Sequence, residues 1–141
     1  MPVSPLPKIR AEVVAVSKRL DACGWVANHD GNISVRLTGN RLLITPTAVA
    51  KRDVTDAMLI VVDMKGNVLE GRRKPFSELE LHLAAYQARP EVECVIHAHP
   101  AHATAFGLTG QSLSPIAMPE IVVSLGDTIP TVPYAMGLCP N

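Results

Sequence analysis

Net charge is the first thing this chain lacks. Thirteen Lys and Arg balance thirteen Asp and Glu, which argues against nucleic acid or an anionic membrane as the main partner. Cysteine is scarce. Cys23, Cys94 and Cys139 are odd in number and widely spaced, fitting neither a disulfide framework nor a cysteine zinc knuckle. The opening Met1-Pro2-Val3-Ser4-Pro5-Leu6-Pro7-Lys8 holds no signal-peptide apolar core. No run reaches the roughly 18 apolar residues of a membrane helix. Internal repeats and low-complexity linkers are also missing, and charged residues, at 18%, are too few for a disordered chain. What is there is 141 residues, 48% hydrophobic. That suffices for one domain burying roughly 68–70% of its unfolded surface, read as a soluble cytoplasmic protein.

Periodicity and turn signals organise the chain. Val13, Val16 and Leu20 share one face of a helix expected over Ile9 to Cys23, with Gly24 as its C-cap. His29-Asp30-Gly31-Asn32 reads as a turn launching a strand over Ile33 to Leu37. Thr38-Gly39-Asn40 turns that strand back into another over Arg41 to Thr45, which Pro46 ends. Leu59 to Asp63 reads as a strand, and Lys65-Gly66-Asn67 turns it into a short one ending at Glu70. After the basic loop Arg72-Arg73-Lys74, Ser77 and Glu80 have the spacing of a capping box. The helix they open carries the stripe Leu79, Leu83, Tyr86, and Pro90 stops it. A further strand runs from Val92 to His99, then a short helix from Ala101 to Leu108, then a strand near Ile129 to Val132. The order predicts an α/β layered domain, an α/β/α sandwich around a largely antiparallel sheet.

The chemistry concentrates at His97-Ala98-His99. Side chains two apart on a strand share a face, with Cβ atoms roughly 6–7 Å apart at about 3.3 Å of rise per residue. Two imidazoles so placed can converge on one divalent cation, and Glu78 offers a carboxylate to complete an open zinc site. Such a pair also occurs as ordinary core or surface histidines. His29 and His82 have no motif support, and His102 reads as structural or as a partner to a ligand.

Five motifs stand in order along nearly the whole chain: Gly31-Asn32-Ile33-Ser34, Ile44-Thr45-Pro46-Thr47, Lys74-Pro75-Phe76-Ser77-Glu78, His97-Ala98-His99-Pro100 and Pro133-Tyr134. In this order they resemble the class II aldolase/adducin family, and within it the L-fuculose-phosphate aldolase branch. The resemblance implies a zinc ion held by three histidines, of which the first two match His97 and His99. It makes Glu78 the catalytic acid/base, able to touch the metal when substrate is absent. It matches Asn32, Thr47 and Ser77 to phosphate-contacting positions. Asn32 in a turn and Ser77 at a helix start also have purely structural readings. The implied activity is metal-dependent retro-aldol cleavage of a small sugar phosphate or related hydroxy-ketone by a homo-oligomer, a cyclic tetramer in the family. A divalent cation would stabilise the enediolate and a carboxylate would move the proton. No Schiff-base lysine is needed, and none of Lys8, Lys18, Lys51, Lys65 and Lys74 reads as lying in an apolar pocket.

The chain departs from that pattern in three ways. Phe76 stands where the fuculose-phosphate enzymes have a second Ser, and Ala48 where they have Gly. The third metal histidine and the closing helices belong to a continuation beyond Pro-Tyr, whereas this sequence ends at Asn141. The expectation is therefore an incomplete domain over residues 1–141, with apolar surface such as Ile116 to Leu125 exposed and self-association as the result. A family tyrosine acting as proton donor has no match, Pro119 lying near its place. Two alternatives stand beside the lyase. One is a non-catalytic interaction module like the adducin head. The other is a family epimerase, dehydratase or decarboxylase.

Overall fold

The computed structural model describes residues 6–111, 118–126 and 129–133. Its first compact unit runs through His99. Helix α1 spans Leu6–Ala22 and buries Ile9, Val13 and Leu20 on one stripe. It closes with a Schellman pattern: Gly24 N–H donates to the Asp21 carbonyl and Trp25 N–H to the Leu20 carbonyl, with Gly24 at φ +67°. Strands β1 (Asn32–Leu37), β2 (Arg41–Ile44), β3 (Ile60–Asp63) and β4 (Val68–Glu70) follow as an antiparallel meander, broken between β2 and β3 by two 3₁₀ turns. Helix α2 covers Leu79–Ala88, and β5 (Cys94–His97) returns to pair antiparallel with β1. The sheet order is β4-β3-β2-β1-β5.

Each sheet face has its own core, as alternating strand side chains require. Ile33, Leu37, Leu43 and Val61 pack with Ile9, Val13 and Leu20 of α1. Leu42, Ile44, Ile60 and Val62 pack with Phe76, Leu79, Leu83 and Tyr86 on the α2 side. The helix–sheet–helix layering expected from the sequence is what forms.

Three expectations need correction. The Ser77–Glu80 capping box does not form: the N-cap is Glu78 and makes no side-chain cap bond, while Ser77 stands exposed one residue outside. The strand carrying the histidines ends at His97, because Ala98 and His99 leave the ladder and His99 N–H donates to the Trp25 carbonyl instead. Near Ile129 to Val132 only Ile129 makes a bridge, and no strand forms among the described residues.

The second unit begins at Pro100 and holds helices α3 (Ala101–Thr109) and α4 (Pro119–Leu125). Met118, Val123 and Leu125 are exposed there. Residues 116–117 of the expected apolar stretch, Tyr134 and Cys139 lie outside the described residues. No described helix is long and apolar enough to cross a membrane.

Candidate active site

The site grows from the pairing of β1 with β5. Asn32 opens β1 and stands opposite His97, the last residue of β5. Gly31, just before it, has φ +70°. A Cβ there would sit 2.8 Å from the His97 carbonyl oxygen and 2.5 Å from Val26 Cγ1. Only glycine lets the turn press this closely on the end of β5. Glu78 enters from the other side as the N-cap residue of α2. Asn32 Nδ2 donates to Glu78 Oε2, with Asn32 only 2% exposed. That bond fixes which end of the amide faces the carboxylate and leaves Oε1 for other work.

The two imidazoles converge through their Nε2 atoms. His97 Nε2 and His99 Nε2 stand 3.0 Å apart, against about 3.3 Å for two nitrogens at 2.0–2.1 Å on one tetrahedral zinc. The outer nitrogens both face carboxylates, His97 Nδ1 at 3.6 Å from Glu78 Oε2 and His99 Nδ1 at 3.9 Å from Asp30 Oδ2. The Nε2···Nε2 contact is itself a hydrogen bond, so one Nε2 donates to the other; a bound cation would need both Nε2 lone pairs bare, with the protons on the Nδ1 atoms that face the carboxylates. The donor set therefore fits a divalent cation held by His97 and His99 with Glu78 beside them. Among the described residues no group of three or more His, Cys, Asp and Glu is gathered closely enough to hold a metal ion outright.

The expected phosphate residues fall on neighbouring segments, with no hydrogen bond joining Asn32, Thr47 and Ser77. Thr45 is bonded to Ile33, through its N–H to the Ile33 carbonyl and its Oγ1 from the Ile33 N–H. Thr47 N–H donates to the Lys74 carbonyl, and Pro46 bridges Pro75. Thr47 and Ser77 thus lie on strips that run side by side next to Asn32, Thr47 half-buried and Ser77 exposed. Ala48 sits at φ +55°, the left-handed region that favours glycine. Phe76 is a core residue packed on the α2 face, its ring 4.9 Å from that of His82. Arg72, Arg73 and Lys74 are exposed.

Two residues near the site are ones that sequence reasoning misses. Sequence places Lys51 outside any apolar pocket, yet it is only 1% exposed, with Nζ donating to the carbonyls of Val49 at 3.1 Å and His29 at 3.4 Å. Burial lowers its pKa, against the opposing pull of Asp30 and Glu78. Its apolar stem is fully packed, while the sequence shows only a lysine in a polar stretch. His82, which no motif marks, is fully buried on the turn after Glu78. Its Nδ1 is 2.7 Å from Ser34 Oγ, which is 2.9 Å from Tyr86 Oη. Burial first, then His97, brings its pKa down to about 4. A signal exists for it: Glu78, His82 and Tyr86 repeat at four-residue spacing, as Asn32 and Ser34 do at two.

Comparison with known proteins agrees with this architecture. Residues 11–138 match the Class II Aldolase and Adducin N-terminal domain. A 5-methylthioribulose-1-phosphate/5-deoxyribulose-1-phosphate aldolase of Escherichia coli O45:K1 is 37% identical over 127 residues, 90% of this chain and 58% of that protein. The L-fuculose phosphate aldolase of Escherichia coli K12 is 33% identical over 128 residues, 91% of this chain and 58% of that one. The solved L-fuculose-1-phosphate aldolase from Thermus thermophilus superposes with a TM-score of 0.71 at 29% identity, over 83% of this chain and 57% of that one. The chain thus spans somewhat over half the length of these relatives. With a five-stranded antiparallel sheet between helices and a family match along nearly its whole length, this chain belongs to the class II aldolase and adducin family.

Proposed function

We propose that this chain carries the metal-holding and proton-transferring part of a zinc-dependent aldehyde-lyase acting on a small sugar phosphate or related hydroxy-ketone. One observation carries the reading: the Glu78 carboxylate, held by Asn32, stands beside the His97 imidazole, whose Nε2 converges with that of His99. A zinc or other divalent ion, when bound by His97 and His99, would supply Lewis-acid stabilisation of charge on adjacent carbonyl and hydroxyl oxygens. Glu78 moves the proton. Asn32 fixes Oε2, so Oε1 is the oxygen free to take a proton from a carbon next to a ketone and to return it. Thr47 and Ser77, on strips flanking Asn32, are proposed to contact the phosphate. The names of the relatives support a phosphorylated ketose, and the burial of Phe76 removes the branch's second hydroxyl from that role. A homo-oligomer in the cytoplasm accompanies the reading. Its support is the exposed apolar Ile96 on edge strand β5 and Val68 and Leu69 on edge strand β4.

The half-reaction tests this directly. Dihydroxyacetone phosphate, incubated in D₂O with the zinc-loaded chain, is expected to exchange a carbon-bound proton. Glu78→Gln keeps the shape and removes the titratable group, so exchange should fall about 10²–10⁴-fold. Unchanged exchange in that variant removes Glu78 from the chemistry. A second reading, a non-catalytic module, is favoured by the lack of a third gathered ligand among the described residues. It predicts no exchange at any zinc concentration.

A further inference from the structure

The face of β1 that meets α2 is polar throughout. Asn32, Ser34 and Arg36 alternate along the strand, and Glu78, His82 and Tyr86 repeat along the helix. They meet rung by rung: Asn32 with Glu78, Ser34 with His82 and Tyr86, and Arg36 with Tyr86, the guanidinium 4.7 Å above the ring. Two rises of a strand span about 6.6 Å and four of a helix about 6 Å, so the rungs stay aligned. A buried polar seam of this kind, within an otherwise apolar face, calls for a function.

The hydrogen bonds have a direction. Tyr86 Oη–H donates to the Ser34 carbonyl at 2.8 Å. Its oxygen is then open to the Ser34 hydroxyl proton at 2.9 Å, and Ser34 Oγ in turn accepts from His82 Nδ1–H at 2.7 Å. This assignment places every proton of the Tyr86–Ser34–His82 chain and leaves His82 Nε2 a bare acceptor. That atom is buried and has no partner among the described residues. His97 Nδ1 and Asn32 Oδ1 are in the same position. If His97 ligates through Nε2, its proton must sit on Nδ1, making it a buried donor. Glu78 Oε2, at 3.6 Å, is too far to accept it and is already engaged by Asn32.

We infer that His82 is a positioning residue for the metal site, its Nε2 accepting the His97 Nδ1 proton through one bridging water, so that the Tyr86–Ser34–His82 chain sets the tautomer and aim of His97. The inference rests on the proposed binding of a cation by His97 and His99. It adds a role for three buried residues that the chemistry of Glu78 does not use. Partners of this kind hold a ligating imidazole in orientation, and losing one costs metal affinity about 10–100-fold.

Two substitutions separate this role from simple packing. In His82→Asn the side-chain amide replaces Nδ1 and keeps the Ser34 bond, but nothing remains at the Nε2 position. In His82→Gln the amide reaches the Nε2 position. Zinc affinity, read by competition with a chromophoric chelator, should drop about 10–100-fold in His82→Asn and stay within about threefold of wild type in His82→Gln. The reverse order, or equal affinity in all three, overturns the inference while leaving the site reading in place. A wild-type chain that binds no zinc overturns both. Should either variant fail to fold, imidazole ¹⁵N signals of the zinc-loaded wild type still decide. His82 is expected as the Nδ1–H tautomer, and an Nε2–H tautomer overturns the proposal.

Discussion

Ala48 shows how a single residue can carry backbone strain. Its backbone is left-handed at φ +55°, a region in which a Cβ costs about 1–2 kcal/mol. Glycine would adopt this turn without that steric cost. Ala48→Gly is therefore expected to raise stability by up to about 1 kcal/mol in urea unfolding, part of the relief being offset by glycine's greater freedom when unfolded. A loss of stability on that change would show that the neighbouring contacts of the alanine outweigh its strain. Lys51 makes the complementary point about legibility. Its residue type predicts a surface, and its position between Ala50 and Arg52 gives no apolar pattern, so only the packed structure shows that its stem fills core space and its amine holds the His29 and Val49 carbonyls. Glu78, His97 and His99 are legible because chemistry-bearing residues stand in recognisable motifs. The joining of Ser34, His82 and Tyr86 into one chain is not, because their partners lie 48 and 52 residues away in sequence and only the four-residue spacing of Glu78, His82 and Tyr86 signals it.

Elements deliver these residues to one another, and the delivery depends on a few contacts. Gly31 is one. Gly31→Ala would force its Cβ against the His97 carbonyl and Val26, so the turn must lift from β5. We expect a stability loss of about 1–3 kcal/mol together with weaker zinc binding, since His97 moves with the end of its strand. Loss of stability with zinc affinity intact would show that the strand end holds without the turn. The seam between β1 and α2 has its own signature with pH. His82 has a folded pKa of about 4, below its ordinary 6.5, because burial disfavours the charged ring. Between those values the unfolded chain binds the proton and the folded chain does not. Stability should therefore fall as pH drops from about 6.5 to about 4, by up to about 3 kcal/mol from this group alone. Unfolding of the metal-free chain at pH 7 and pH 4.5 checks it: wild type should lose more than His82→Gln over that interval, and parallel loss would contradict the assignment. The strands and helices themselves are largely legible, since alternation and the Leu79, Leu83, Tyr86 stripe report burial directly. The capping box fails because Glu78, held by Asn32, takes the N-cap position and leaves Ser77 one residue outside the helix.

At the scale of the whole molecule, sheet and two helices form a three-layer unit that brings one end of β1, the end of β5 and the start of α2 to a common point. Everything proposed for function depends on that point being a metal site. Isothermal titration of the metal-free chain with zinc, beside the His97→Ala/His99→Ala double variant, addresses it most directly. One equivalent bound by the wild type and none by the variant is the predicted result. Equal binding by both, or none by either, would contradict it.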